Sequence, residues 1–227
     1  MRILIVGGYG TFGGRLAELL ADEPRVELLI AGRSQAKAAA FCAALGGAAP
    51  RRPLIFDREA DVVAALKAEA PDLVVDATGP FQAYGRDRYR LVEAAIGCGI
   101  DYMDLADGSE FVSGIRAFDA AAKARGVAVL AGVSSFPLLT AAVVRHLSRD
   151  LAEVASVTGG IAPSPYAGVG LNVIRAIAGY AGKPVLLRRG GRTVTGYALT
   201  ETLRATIAPP GRLPLHNTRF SLVDVPD

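Results

Sequence analysis

Short apolar runs alternate with segments of helical spacing through roughly the first three fifths of the chain. Residues 3–6 form an apolar run that predicts a strand, and behind a cluster of glycines the pattern resumes at Leu16, Leu19 and Leu20 with the spacing of one helix face. The grammar then repeats. Strands are predicted over residues 26–31, 53–56, 72–77, 101–106 and 127–131, with helices between them over residues 34–45, around Val62, Val63 and Leu66, over 84–98 and over 115–125. Ser34 is placed to cap the first of these helices, and the run Gly46-Gly47-Ala48-Ala49-Pro50 ends it. Six strands with helical crossovers predict an α/β domain over residues 1–132, a Rossmann-type doubly wound parallel sheet of order 3-2-1-4-5-6.

After Gly132 the pattern changes. A link over residues 133–137 leads to an amphipathic helix over 138–149, a strand-like run over 153–161, an apolar helix over 169–180, and short strands over 184–187, 193–199 and 219–223. Residues 133–227 therefore read as a partial α+β second domain, of a type that supplies a substrate wall and subunit contacts such as those of a homodimer. Val225-Pro226-Asp227 follows a strand-like run with no closing helix, which predicts a domain truncated at its C-terminus.

Composition narrows the classes. Of 227 residues 51% are hydrophobic and the mean hydropathy is +0.33, enough for a filled core and against disorder. The net charge of +3 comes with scattered arginines, so no basic stripe points to nucleic acid, and a phosphorylated cofactor is a sufficient anionic partner. No apolar run is long enough to span a bilayer, and the start enters a strand without a leader, so the expectation is no membrane and a cytoplasmic location. Cys42 and Cys98 lack Cys-x-x-Cys spacing and read as buried thiols, and no His/Cys/carboxylate cluster has metal spacing.

The glycines carry the chemistry. In the register Gly8-x-Gly10-x-x-Gly13, preceded by Gly7, the first glycine is expected to allow the tight turn. The second lets backbone approach a pyrophosphate, and the third lets the helix pack on the strand. The helix N-terminus would offer the Thr11 and Phe12 amides to the phosphates. Arg33 stands twenty positions after Gly13, where an NAD-binding chain places a carboxylate for the ribose 2′-hydroxyl. A guanidinium beside the Ser34 hydroxyl suits a 2′-phosphate instead, so the cofactor is predicted to be NADP(H). Asp57, at the end of the third strand, either faces the adenine or caps the next helix. Thr78-Gly79-Pro80, at the end of the fourth, would border the nicotinamide ribose.

Candidates for proton transfer are sparser. Tyr84, Asp104 and Asp107, with the Ser134-Ser135 pair, are the polar groups nearest the expected rim, while Asp107 and Ser109 serve equally as caps of the following helix. His146 and His216 lie outside the nucleotide domain. A Ser-His-Asp hydrolase is disfavoured by the lack of a Gly-x-Ser-x-Gly elbow. Tyr84 is followed four residues later by Arg88 rather than lysine, which weakens a short-chain reductase reading.

Several stretches together resemble one family. Gly79-Pro80-Phe81 with Tyr84-Gly85, then Glu93-Ala94-Ala95, Gly99-Ile100-Asp101-Tyr102-Met103-Asp104-Leu105 and Gly132-Val133-Ser134-Ser135-Phe136-Pro137, are similar to the saccharopine dehydrogenase-like oxidoreductases. Residues 168–184, ending in Gly182-Lys183-Pro184, are similar to that family's second domain. The resemblance implies a pyridine-nucleotide oxidoreductase whose relatives form or oxidise a secondary amine joining an amino acid to a keto acid. No constellation here matches a site for two carboxylate-bearing substrates, so saccharopine itself is not supported. The leading expectation is an NADP(H)-dependent oxidoreductase acting on a small imine, amine or carbonyl compound. The alternative is a non-catalytic NADP(H)-binding module that senses redox state or acts through a partner.

Overall fold

A computed structural model describes residues 1–162, 171–207 and 216–224. The chain divides between Leu139 and Thr140 into two compact units. The sequence put the boundary after residue 132, but the link stays with the first unit: the Val133 amide donates to the Asp104 carbonyl at 2.9 Å, and Pro137 packs on Gly132.

The first unit is a six-stranded parallel sheet of order β3-β2-β1-β4-β5-β6, the doubly wound topology expected. Its strands are β1 (Arg2–Val6), β2 (Glu27–Gly32), β3 (Arg51–Ile55), β4 (Leu73–Asp76), β5 (Asp101–Asp104) and β6 (Val129–Leu130). The helices are α1 (Thr11–Leu20), α2 (Gln35–Ala44), α3 (Val62–Glu69), α4 (Arg90–Cys98), α5 (Ser109–Gly114) and α6 (Asp119–Arg125).

Period-two alternation sends successive strand residues to opposite faces, and both faces are covered. Leu4, Val6, Leu29, Ala31 and Val74 meet Val62 and Leu66 of α3 and Leu91, Val92, Ala95 and Ile96 of α4. Ile3, Ile5, Leu28, Ile30, Leu73 and Val75 meet Ala17 of α1 and Ala38 of α2. This explains why the central strands read as unbroken apolar runs: neither face is left to water.

Several boundaries differ from expectation. The helix expected over 84–98 starts at Arg90, because Gly85 adopts a left-handed φ of 72° and breaks the turn before it. Residues 115–125 split into a tight 3₁₀ turn, Ile115–Phe118, followed by α6.

The second unit holds α7 (Thr140–Leu147), α8 (Leu171–Tyr180) and two antiparallel pairs, β7 (Pro184–Arg189) with β8 (Arg192–Tyr197) and β9 (Thr202–Ile207) with β10 (His216–Ser221). Residues 169–170 of the helix expected over 169–180, and Val225-Pro226-Asp227, lie outside the described residues. The expected strand over 153–161 does not form. Val154, Val157 and Ile161 are exposed there, and among the described residues no strand pairs with the segment. The strand β9 went unpredicted although Leu203, Ala205 and Ile207 alternate with Thr202, Arg204 and Thr206. Gly190 and Gly191, both at positive φ, make the two-residue turn between β7 and β8.

Two carboxylates, Asp76 and Asp104, are the buried polar residues among those described, and each ends a strand. Asp104 Oδ1 accepts from the amides of Ala106 at 3.0 Å and Gly132 at 2.8 Å, which ties the end of β5 to the turn beyond β6. Among the described residues no group makes a hydrogen bond of ordinary geometry to its Oδ2. Burial pushes the carboxyl up to about 6, and the nearby Asp76 pushes in the same direction, against the two amides. A carboxyl raised on folding adds stability that is fully present below its unfolded value of 3.8 and is lost as pH rises through about 6. Asp104→Asn keeps an acceptor for both amides and removes the charge. The variant should therefore gain on the parent between pH 4 and pH 7, by at most about 3 kcal/mol. Thermal melts of both proteins across that range check this; a difference that does not change with pH contradicts it.

Candidate functional site

The glycine loop is built by close backbone contacts. Gly7 takes the left-handed φ of 80°, so the tight turn falls one residue earlier than the Gly8 assigned to it. The amides of Gly7 and Gly8 both donate to the Ala31 carbonyl, at 2.9 and 3.0 Å, and fasten the loop to the end of β2. A Cβ on Gly8 would lie 2.8 Å from the Ile5 carbonyl oxygen, and one on Gly13 would lie 2.3 Å from that of Gly7. Gly10 is the N-cap of α1 in extended conformation, and no side chain caps the helix. Thr11 and Phe12 are exposed at this N-terminus. Backbone donors without a side-chain cap, above glycines that leave room for close approach, fit a diphosphate.

Arg33 follows β2 directly and is exposed. Ser34 accepts from the Lys37 amide at 3.4 Å and caps α2, as predicted from the sequence. The Ser34 amide donates to the Tyr9 hydroxyl at 3.0 Å. Tyr9, inside the glycine loop, lays its ring over Gly32, where an added Cβ would meet ring atoms at 2.5 to 2.6 Å. Sequence reading passed over Tyr9; the available signal was an aromatic residue between two loop glycines.

Asp57 is exposed and accepts from the Glu59 amide at 3.0 Å. It does not cap α3. Asp61 does, accepting from Ala64 at 3.0 Å, because it stands immediately before the first helical residue.

At the end of β4, Asp76 accepts from the Thr78 amide at 3.0 Å and the Thr78 hydroxyl at 2.6 Å. The Tyr84 hydroxyl donates to both Asp76 oxygens at 3.2 Å and is also hydrogen-bonded to Thr78 Oγ1. Burial raises the Asp76 carboxyl, while the Thr78 bonds and the Arg58 charge pull it down. Burial also raises the Tyr84 phenol, with the Asp76 charge adding to the shift. The guanidinium carbon of Arg58 lies 3.2 Å from the Tyr84 ring centroid. Phe81, Tyr84, Phe111 and Tyr89 stack around this corner with centroids 4.8 to 5.9 Å apart. Thr78, Gly79 and Pro80 are half-buried along the rim. Neither Asp76 nor Arg58 was singled out from sequence, although an acid closing the run Leu73-Val74-Val75 is a visible anomaly.

Asp107 is exposed and accepts from Gln82 Nε2 at 3.0 Å. The capping alternative for Asp107 and Ser109 does not hold, since Gly108 occupies the N-cap of α5 and no side chain caps it. Ser134 donates its amide to the Gly132 carbonyl at 2.7 Å. His146 lies exposed in the last turn of α7, in the second unit. Among the described residues no group of three or more His, Cys, Asp or Glu could hold a metal ion, and no helix is long and apolar enough to cross a membrane.

Solved structures are similar to parts of the chain. The apo saccharopine dehydrogenase (L-Glu forming) of Saccharomyces cerevisiae superposes with a TM-score of 0.50 and 18% identity, over 65% of this chain and 31% of that one. The leucoanthocyanidin reductase of Vitis vinifera, in its binary complex with NADPH, superposes with a TM-score of 0.42 and 20% identity, over 58% of this chain and 48% of that one. This chain thus spans about a third of the yeast enzyme's length. No curated protein sequence matches the chain. The family model for the saccharopine dehydrogenase NADP binding domain matches residues 3–130, more than half of the sequence, and with the glycine loop and sheet order described above it establishes that the chain belongs to this family, with NADP as its cofactor.

Proposed function

We propose that this protein is an NADP(H)-dependent oxidoreductase that moves a hydride to or from a small imine, amine or carbonyl compound. One observation carries the reading: the α1 N-terminus has no side-chain cap and opens above glycine contacts too tight for any side chain. In this reading the backbone of Gly7, Gly8, Gly10, Thr11, Phe12 and Gly13 holds the diphosphate. Arg33 and Ser34 take the 2′-phosphate, Asp57 borders the adenine, and Thr78, Gly79 and Pro80 border the nicotinamide ribose. The bound nicotinamide supplies the hydride chemistry. The chain's part is to bind, orient and keep water from the reacting carbon.

A second reading, a non-catalytic NADP(H)-binding module, is favoured by a specific feature of the rim. The Tyr84 hydroxyl points at Asp76, and Asp104 is fully buried on two amides, so both are committed to holding loops. Asp107 is the candidate acid that reaches solvent. Steady oxidation of NADPH in the presence of a panel of small ketones and imines supports the enzyme, with Asp107→Asn expected to slow turnover about 100-fold if it delivers the proton. Tight NADPH binding without turnover on the panel supports the module.

Calorimetric titration tests the cofactor assignment. NADPH should bind more tightly than NADH by at least about tenfold, and Arg33→Asp should abolish or reverse that order. Equal dissociation constants in the parent protein contradict it. Gly13→Ala should destroy binding of both cofactors, because its Cβ would collide with the Gly7 carbonyl 2.3 Å away and displace the loop. Retained NADPH affinity in that variant would remove the glycine loop from the site.

A further inference from the structure

Resting on the assignment of Arg33 and Ser34 to the 2′-phosphate, we propose that Tyr9 is a third member of that subsite, giving its phenolic proton to a 2′-phosphoryl oxygen and setting the position of the Arg33-Ser34 turn. Its ring is held against Gly32 and packs with the core face formed by Ile5, Leu28 and Ile30. Its hydroxyl therefore has a defined place beside the end of β2.

The direction of its hydrogen bonding follows from the donor. A backbone amide can only donate, so the Ser34 N–H, 3.0 Å away, fixes the Tyr9 oxygen as acceptor. The hydroxyl then keeps its own proton, and the described residues offer that proton no acceptor. Arg33 is exposed at the same turn and adjoins the Ser34 whose amide makes this bond. An oxyanion received there would accept from a guanidinium and from an oriented phenol, both stronger donors toward a charged oxygen than toward a neutral one. The tyrosine also joins the two halves of the cofactor site. It belongs to the diphosphate loop and bonds to the turn that reads the 2′ position, so placement of one loop constrains the other.

Tyr9→Phe keeps the ring on Gly32 and removes the hydroxyl. Calorimetry with NADPH and NADH should show NADPH binding weakened about tenfold and NADH binding changed less than about twofold, with the melting temperature preserved. Gly32→Ala provides a second route, since its Cβ would meet the Tyr9 ring at 2.5 to 2.6 Å and swing the phenol away while leaving it chemically intact. It should cause the same selective loss. In an Arg33→Ala background Tyr9→Phe should have a smaller effect than in the parent, because the two groups share one phosphoryl oxyanion.

Equal weakening of both cofactors by Tyr9→Phe would assign the residue to scaffolding and overturn the proposal, as would unchanged NADPH affinity. If the parent prefers NADPH, Arg33→Ala removes that preference and Tyr9→Phe does not, the Tyr9 proposal alone fails. If the parent shows no preference, the 2′-phosphate assignment fails with it.

Discussion

Close approach of backbone to backbone at the start of α1 is the constraint on which the nucleotide domain depends. Gly13 would put a Cβ 2.3 Å from the Gly7 carbonyl oxygen, and Gly8 would put one 2.8 Å from that of Ile5. A side chain at Gly13 forces α1 off the loop, and one at Gly8 forces the loop off β1 and β2. Separation would break the paired Gly7 and Gly8 bonds to the Ala31 carbonyl, and with them the junction of β1 and β2 ahead of the Arg33-Ser34 turn. The absence of side chains that lets α1 sit against the sheet also goes with a helix N-terminus that no side chain caps.

On the other side of β1 the sheet solves a different problem. Strands β4 and β5 end in carboxylates that the apolar layers would otherwise exclude, and each acid is retained by bonds to a loop leaving the sheet. Asp76 gathers Thr78 and Tyr84, and Asp104 gathers Ala106 and Gly132. Raised carboxyl values are the consequence of this placement. These acids shape the rim by positioning backbone, and a perturbed carboxyl in a crevice can report such a structural duty as readily as a chemical one.

What was legible in the sequence follows the strength of each local signal. The strand order, the two-faced burial of β1, β2 and β4, the Ser34 cap and the glycine loop all come from patterns confined to a few adjacent residues. Helix starts were less legible where a tertiary contact decides them: the turn from Phe81 to Tyr89 is held by aromatic stacking and by Asp76, so helical spacing from residue 84 was a false lead. The strand expected over 153–161 failed for the complementary reason, since alternation marks a strand only when a partner receives its backbone, and none of the described strands does so here. Tyr9, Arg58 and Asp76 were missed because each gains meaning from residues far away in the chain. Tyr9 bonds to Ser34, and Arg58 stacks on Tyr84.

The acids at and beyond the ends of β4 and β5 divide the work of holding the loops there. Tyr84 carries a phenol that burial holds in its protonated form, and that proton is directed inward at Asp76. Moving it outward would leave Asp76 without that donor, while Thr78 is already bonded to the same carboxylate. The cost of breaking this buried network exceeds that of an exposed hydroxyl changing partners, because the unpaired groups would remain in a low-dielectric corner. Asp107, by contrast, is exposed, and its bond to Gln82 joins the two loops that leave β4 and β5. The buried acids each hold the loop that follows them, and the exposed one ties the two loops together.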